Sequence, residues 1–516
     1  MTLHAAEAIR SHVPVLVVGA GPTGLMLSAE LALHGVRPLL IDALPSPSGQ
    51  SRALGFTVRT LEIFKQRGIL GRFKGLAQVP GVHFAGLNID GDFLSSTLRP
   101  ANQYPQSRTE QVLADWCEER GVTALRPWRL ESMEPTGSGY RCVLSGPAGR
   151  RTVEADYVAG CDGAASGVRE AIGMTARRTP PSVQMLLGDL RGCGLPNEPF
   201  GVKHEKGMVM SAPLGDGTER VIVCDFSQPM RPQGAPVTHA EIKNAYENVV
   251  GKPLTDGECL WASSFSDASS LVESYRDGRV LLVGDSAHTH LPAGGQGMNV
   301  SLQDAVNLGW KLALVSRGRA PDSLLDSYHA ERHPVGRELL LNTAAQGQLF
   351  LRGPEADPLR EIVRRLLEVP EVSVRLADGV SGLDIRYDMG DPEASSPVGE
   401  RLAPDALAVA GAGGDTVVGA GGDTVVGAGR DVVEELRHGT ALLVLLADDG
   451  EASPLAAQWG DRVRVVHARP KEPRRKAGSA EPLNLFVRPD GHIAWAGPRS
   501  DGLSASLSRW LGEPAA

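Results

Sequence analysis

Pro14-Val-Leu-Val-Val-Gly19-Ala-Gly21-Pro-Thr-Gly24 decides the fold of the N-terminal half. The apolar run has the texture of a buried parallel strand, and it ends directly in three glycines spaced for a strand-to-helix turn. A helix is expected next. Residues 25–34 keep apolar side chains at helical spacing, Gly35 supplies a stop, and Val36-Arg-Pro-Leu-Leu-Ile41 reads as a second strand with Asp42 at its end. This is one βαβ unit, with the acidic residue near the offset expected for a ribose contact. Gly19, Gly21 and Gly24 are therefore placed to let the backbone approach a pyrophosphate at a positive helix end. The string does not separate FAD from NAD.

Working outward, short strand-like runs broken by Gly and Pro fill residues 185–265, including Gly207-Met-Val-Met210 and Arg220-Val-Ile-Val-Cys-Asp225. A buried parallel strand then reappears at Gly278-Arg-Val-Leu-Leu-Val-Gly284, so the dinucleotide fold is expected to be interrupted by a sheet and resumed. Helices follow through about Leu367, one of them over residues 301–316. The predicted class is α/β: a Rossmann-like FAD-binding domain (1–175 and 276–395), an inserted α+β substrate sheet (176–275) and a smaller C-terminal unit (396–516). That last unit holds a perfect tandem octad, Gly411-Ala-Gly-Gly-Asp-Thr-Val-Val418 repeated over 419–426, read with its surroundings (411–429) as a Gly-rich loop.

The bulk properties bound the function. A chain of 516 residues with 42% hydrophobic and 22% charged content is long enough for several cores and is neither a coiled coil nor disordered. Net charge is −9, which argues against a nucleic-acid surface or polybasic membrane anchor and for a small-molecule partner. The longest apolar runs fall well short of the ~20 residues a membrane helix needs. The N-terminus has no signal-peptide pattern and the six cysteines have no metal or CxxC spacing, so a cytoplasmic, metal-free protein with buried free thiols is expected.

Two further clusters sharpen the reading: Gly160-Cys-Asp-Gly-Ala-Ala-Ser-Gly-Val-Arg169, and Gly284-Asp-Ser-Ala-His288 followed by Leu291-Pro-Ala-Gly-Gly-Gln-Gly-Met-Asn299. In this order with the glycine turn they resemble the class A flavoprotein monooxygenases, the family of p-hydroxybenzoate hydroxylase. Ser51-Arg-Ala-Leu-Gly-Phe-Thr-Val-Arg59 and Pro105-Gln-Ser-Arg-Thr-Glu-Gln111 narrow the resemblance to aromatic polyketide hydroxylases of the angucycline and anthracycline kind. The resemblance implies FAD with NADPH or NADH as cofactors. It implies FAD contacts at Arg52, Gln111, Asp162, Gly163 and Gly284, with Asp285 on the ribityl chain and Pro292 against the isoalloxazine. The backbone of Gly295, Gly297, Met298 and Asn299 would cover the pyrimidine edge. Ala165 and Ser270 stand where many relatives carry arginine.

The implied reaction hydroxylates a polycyclic aromatic polyketide with O2 through a flavin C4a-hydroperoxide. Its rivals are Baeyer–Villiger insertion, inactivation of an antibiotic, and a non-catalytic flavin or ligand-binding protein. No side chain is assigned as nucleophile; His288 and His290 are read first as backbone-bonded residues near the cofactor and second as proton relays. Phe84, Met208, Met210 and Phe226 are candidates to line the cavity. The C-terminal unit resembles the family's thioredoxin-like domain but lacks cysteine, which excludes thiol chemistry there. A monomer or homodimer is expected, with no nucleic-acid or membrane partner.

Overall fold

A computed structural model describes residues 9–514, except 216, 233, 392, 394, 411–416, 419–423, 426–429, 448–449 and 472–482. Most of the Gly-rich repeat therefore lies outside the described residues. Four strands form the parallel heart of the molecule, in the order Val280–Leu282, Gly149–Gly160, His12–Val18, Leu39–Ile41. An antiparallel hairpin, Arg129–Pro135 and Tyr140–Gly146, extends from Gly149–Gly160, and Arg276–Asp277 edges Val280–Leu282. Val15, Leu16 and Val17 are fully buried, as the unbroken apolar run required. The second strand is shorter than the sequence suggested: Pro38 has no N–H to give the ladder, and pairing begins at Leu39.

Between residues 160 and 280 the chain leaves this sheet and builds a five-stranded antiparallel one, in the order Glu198–His204, Gly207–Gly215, Thr218–Asp225, Gln184–Arg191, Glu258–Ser266. Antiparallel strands send alternate side chains to opposite faces. One face packs on the helix His239–Val250, with Val209, Val221 and Val223 against Ile242 and Val249. The other carries Met185, Met208 and Cys224, which pack with Leu291 and Leu351.

The helix expected from Ser301 begins four residues earlier, as Gly297–Ser316, because the glycine-rich turn itself winds into the first helical turn. It is buried almost end to end. Helices Asp326–Phe350, Asp357–Leu366 and Pro370–Ser381 follow, so helical structure continues past Leu367; Pro370 restarts it at a position where its missing N–H is no loss. The C-terminal sheet runs Leu407–Val409, Val463–Pro470, Ala441–Leu445, Asn484–Val487, Ile493–Gly497, and the helix Leu503–Leu511 closes it.

The C-terminal unit is joined to the rest by buried charge. Arg488, fully buried, donates to Glu331 at 2.6 Å and to Asp490 at 2.5 Å, and its guanidinium lies 4.3 Å from the Trp510 ring centroid. Lys311 and Asn307 of the central helix reach the same Glu331 at 2.8 and 2.6 Å. Burial pushes the Glu331 carboxyl up, but Arg488 and Lys311 beside it carry it down to about 2. The cysteines are free; five are buried, whereas Cys259 is half-buried.

Candidate active site

Three stretches far apart in sequence end at the carboxyl edge of the parallel sheet, where ligands of open α/β folds bind. Backbone bonds tie them together: Gly19 N–H donates to Ile41 O at 2.8 Å, Cys161 N–H to Val18 O at 2.8 Å, and Val283 N–H to Gly160 O at 3.0 Å. Ser286 Oγ adds a bond to Gly160 O at 2.5 Å. Arg169 of the middle stretch donates to Ser286 O at 2.9 Å and to Ala164 O at 2.8 Å.

The glycines are explained by contact. A Cβ on Gly24 would lie 1.8 Å from Gly19 O, and one on Gly284 would meet Ser301 Oγ at 2.7 Å and Thr23 Oγ1 at 3.0 Å. A side chain on Gly284 would force the third motif off the first, and one on Gly24 would break the first motif's own turn. Gly21 is different: a Cβ would meet nothing within 4 Å, so the backbone itself faces open space. Gly163 and Gly295 share that openness. Helices Pro22–Leu33 and Gly297–Ser316 both start there with no side-chain cap and no acidic residue in the first turn. Their first N–H groups are left for an anionic ligand, a donor set that fits the pyrophosphate and ring edge of FAD.

Asp42 is held in place by Ala20 N–H and Leu44 N–H, each at 2.8 Å, and by Arg126 at 2.8 Å. Asp162 turns inward to its own loop, accepting from Ser166 Oγ at 2.5 Å and Val168 N–H at 3.0 Å. Asp285 is exposed at the edge, with Ser301 Oγ 3.4 Å away. Pro292 is exposed and Met298 half-buried. Asn299 is buried, and its amide is spent on backbone: it accepts from Thr57 N–H at 3.0 Å and donates to Gly55 O at 3.3 Å and Gly295 O at 2.8 Å. That side chain thereby draws the 51–57 segment to the site. Arg52 is exposed in this segment, while Gln111 lies on the exposed side of the helix Gln106–Glu119 and donates to Asp115 at 2.7 Å. Ser270, at a position of departure, pairs with Thr289 at 2.8 Å.

The two histidines differ. His288 is fully buried, with Nε2 2.8 Å from Asp304, whose other oxygen takes Arg332 Nε at 2.6 Å. His290 must carry its proton on Nδ1, which donates to Leu291 O at 2.7 Å; its Nε2 lies 3.1 Å from a Cβ built on Gly297. Burial, with His288 nearby, lowers His290 to about 4, so its ring is neutral at pH 7.

Sequence reading missed Arg220 and Asp189. Arg220 is fully buried on the sheet face that meets the site; it forms a bidentate pair with Asp189 at 2.7 and 2.8 Å and donates its remaining nitrogen to Ser51 O. A charged residue between Thr218 and Val221 in a strand was the available signal, but the register that faces it inward comes only from pairing. Met208, Met210 and Phe226 do gather by Leu291 and Ala293. Phe84 instead packs in a neighbouring cluster with Val58, Leu349 and Val380.

Among the described residues, no group of His, Cys, Asp and Glu is arranged to hold a metal ion, and no helix is long and apolar enough to cross a membrane.

Residues 12–343 match the FAD binding domain family and residues 422–514 the aromatic-ring hydroxylase C-terminal family. The chain belongs to the FAD-binding aromatic-ring hydroxylases. It is 38% identical over 519 residues to a 12-dehydrotetracycline 5-monooxygenase/anhydrotetracycline 6-monooxygenase of Streptomyces rimosus, covering 97% of this chain and 99% of that one. It is 36% identical to a rifampicin monooxygenase of Streptomyces venezuelae, with 96% and 98% covered. The crystal structure of CabE, an aromatic hydroxylase from angucycline biosynthesis, superposes with a TM-score of 0.89 at 43% identity, covering 98% of this chain and all of that one.

Proposed function

We propose that this protein is an FAD- and NAD(P)H-dependent monooxygenase that hydroxylates a polycyclic aromatic polyketide, acting in the cytoplasm. The observation that carries the reading is the meeting of the three-loop edge with one apolar, methionine-rich face of the inserted sheet, at Leu291 and Ala293 and again at Ser51. Bound FAD supplies the oxygen chemistry; the protein supplies position and exclusion of water.

Gly19, Gly21 and Gly24 with the first helix would hold the pyrophosphate, and Asp42 the ribose. Asp285 would hold the ribityl chain, and Arg52, Gln111, Gly163 and Gly284 would make further FAD contacts. Asp162 acts by fixing its turn. Pro292 would lie on the ring, and the N–H groups from Gly295 to Asn299, at a helix N-terminus, would favour negative charge on its pyrimidine edge. His290, neutral and held by Leu291 O, offers Nε2 as an acceptor beside that edge. The C-terminal unit, with a parallel pair 441–445 and 463–470, an antiparallel hairpin and a final helix, supports a thioredoxin-like reading; its role is structural.

Purified protein should carry FAD that NADPH or NADH bleaches faster when a polycyclic phenol is present, and should place one atom of ¹⁸O2 on an intact ring carbon skeleton by NMR. Oxygen set between two ring carbons that were bonded in the substrate would assign Baeyer–Villiger insertion instead, oxidation confined to a finished antibiotic would assign inactivation, and protein that never takes up FAD would end the enzymatic reading. Asp285→Ala should weaken FAD retention by about tenfold, the effect of one lost charge-assisted hydrogen bond, measured by fluorescence titration.

A further inference from the structure

We propose that Phe350 is the end stop of the substrate cavity: its ring limits how many fused rings the cavity admits and thereby sets which carbon of the substrate stands over the flavin. This rests on the reading above, an aromatic polyketide held between the flavin and the inserted sheet. Phe350 is the last residue of the helix Asp326–Phe350. One turn earlier the same helix passes the ring-edge loop: a Cβ built on Gly347 would meet Leu291 Cδ2 at 3.1 Å, and one on Gly294 would meet Gln346 Nε2 at 3.5 Å. A helical turn rises about 5.4 Å, so Phe350 stands that much further along the cavity than the loop.

The ring packs against two clusters and separates them: the methionine face, with Met208 and Leu291, and the neighbouring cluster that holds Phe84 and Leu349. It is half-buried, like Met210, Ile222, Phe265 and Ala293 on the open side of the first cluster. A phenylalanine there for packing alone would be buried, as Met185 and Cys224 are. Nor can the ring swing out of a ligand's way. A Cβ on Gly86 would lie 2.8 Å from its Cε2 and Cζ atoms, and one on Gly201 would lie 2.9 Å from Cζ. Both glycines have positive φ, +73° and +79°, so bare backbone presses on the outer edge of the ring where no side chain could stand. Arg360 covers one face, its guanidinium 5.3 Å from the ring centroid, and donates to Ala85 O.

Polar bonds fix the distance from the stop to the flavin loop. Gln296, in that loop, and Gln346 both donate to Asn342 Oδ1, at 3.2 and 2.7 Å. Gln346 Oε1 in turn accepts from Ala85 N–H at 2.9 Å, at the tip of the hairpin formed by Gly81–Phe84 and Leu87–Asp90. Ala85 and Gly86, at φ 53° and 73°, make its tight two-residue turn. The flavin loop at one end and the hairpin that clasps Phe350 at the other are thus referred to one helix. An apolar space of about 150 Å³, left by truncating one large side chain, accepts a benzene ring. Removing the Phe350 ring leaves room of that kind at the end of the cavity.

Phenols of two, three and four fused rings, 1-naphthol, 1-anthrol and 1-tetracenol, test this on the FAD-loaded full chain, with binding read from the flavin absorption spectrum. Phe350→Leu and Phe350→Ala should raise affinity for the four-ring phenol relative to the two-ring one, in that order. The shift should be at least about tenfold for alanine, the lower bound for one apolar group admitted or refused by a pocket. This ratio is indifferent to any loss of melting temperature, and Phe350→Leu carries the test if Phe350→Ala does not fold. 1-Anthrol, oxidised at one carbon by the wild type, should give a mixture of positions with the alanine variant, resolved by NMR. Variants that bind the phenols with the ratios of the wild type overturn the end stop alone, and a single unchanged product overturns its control of position. A wild type whose flavin spectrum responds to none of the phenols overturns the hydroxylase reading itself, and this inference with it.

Discussion

At the scale of single residues, Asn299 does more than its place in a glycine-rich string suggests. One buried amide bonds three backbone groups and joins the 51–57 segment to the start of the central helix. Replacing it with alanine leaves Thr57 N–H without its partner in a buried setting, at about 1–3 kcal/mol for an unsatisfied donor. Asn299→Ala should therefore lower the melting temperature and weaken FAD binding together, while Asn299→Asp, able to accept but not to donate, should recover only part. Paired thermal and flavin titrations check this. The histidines make a second prediction. His83, His290 and His492 are each brought from an ordinary 6.5 to about 4, in every case first by burial, helped by Arg360 at His83 and by His288 at His290. Each stays neutral in the folded chain but takes a proton near pH 6.5 when unfolded. The unfolded state therefore binds more protons between pH 6.5 and 4, and the stability these rings contribute, complete above pH 6.5, is lost as pH falls toward 4. Urea midpoints across this range should fall with acid, and His83→Asn with His492→Gln should flatten the slope.

Among elements, the helix Gly297–Ser316 joins chemistry to architecture. Its first turn faces the site, while Asp304, Asn307 and Lys311 along its length hold His288, Arg332 and Glu331. Carboxylates and cations this deep must be paired, because an uncompensated buried charge is costly. Arg488 is the hinge of the set, bonding Glu331 and Asp490 and stacking on Trp510. Arg488→Ala should destabilise by about 3–5 kcal/mol, the usual cost of removing one partner of a buried pair. Arg488→Lys should not rescue it, since one ammonium cannot reproduce the planar fork. Chemical unfolding monitored by tryptophan fluorescence separates the two.

For the whole molecule, the C-terminal unit is part of the enzyme's core. Arg67 of the N-terminal half donates to Pro489 O at 3.0 Å and Arg59 to Asp490 O at 3.0 Å, and Trp510 sits 6.5 Å from Trp310. A chain ended at residue 395 would expose Trp310 and leave Lys311 and Glu331 without Arg488. It should be insoluble or bind no FAD, and co-expressing residues 396–516 should restore both; recovery of soluble, FAD-loaded protein from the truncated chain alone would contradict this.

The βαβ start, the interruption of the parallel sheet and its resumption near residue 280 were legible in sequence because buried parallel strands are runs of apolar residues ending in glycine. So was the meeting of the three motifs, since their order matched a known pattern. The strand cut short at Pro38 and the helix begun at Gly297 shifted boundaries, which local signals specify least. What only the tertiary structure decided is where charge is buried. Arg220 on Asp189, Asp304 between His288 and Arg332, and Arg488 on Glu331 join residues 16 to 157 positions apart. A sequence shows each as an ordinary polar residue, because burial and partnership are properties of the packed chain, fixed when distant elements exclude water from between them.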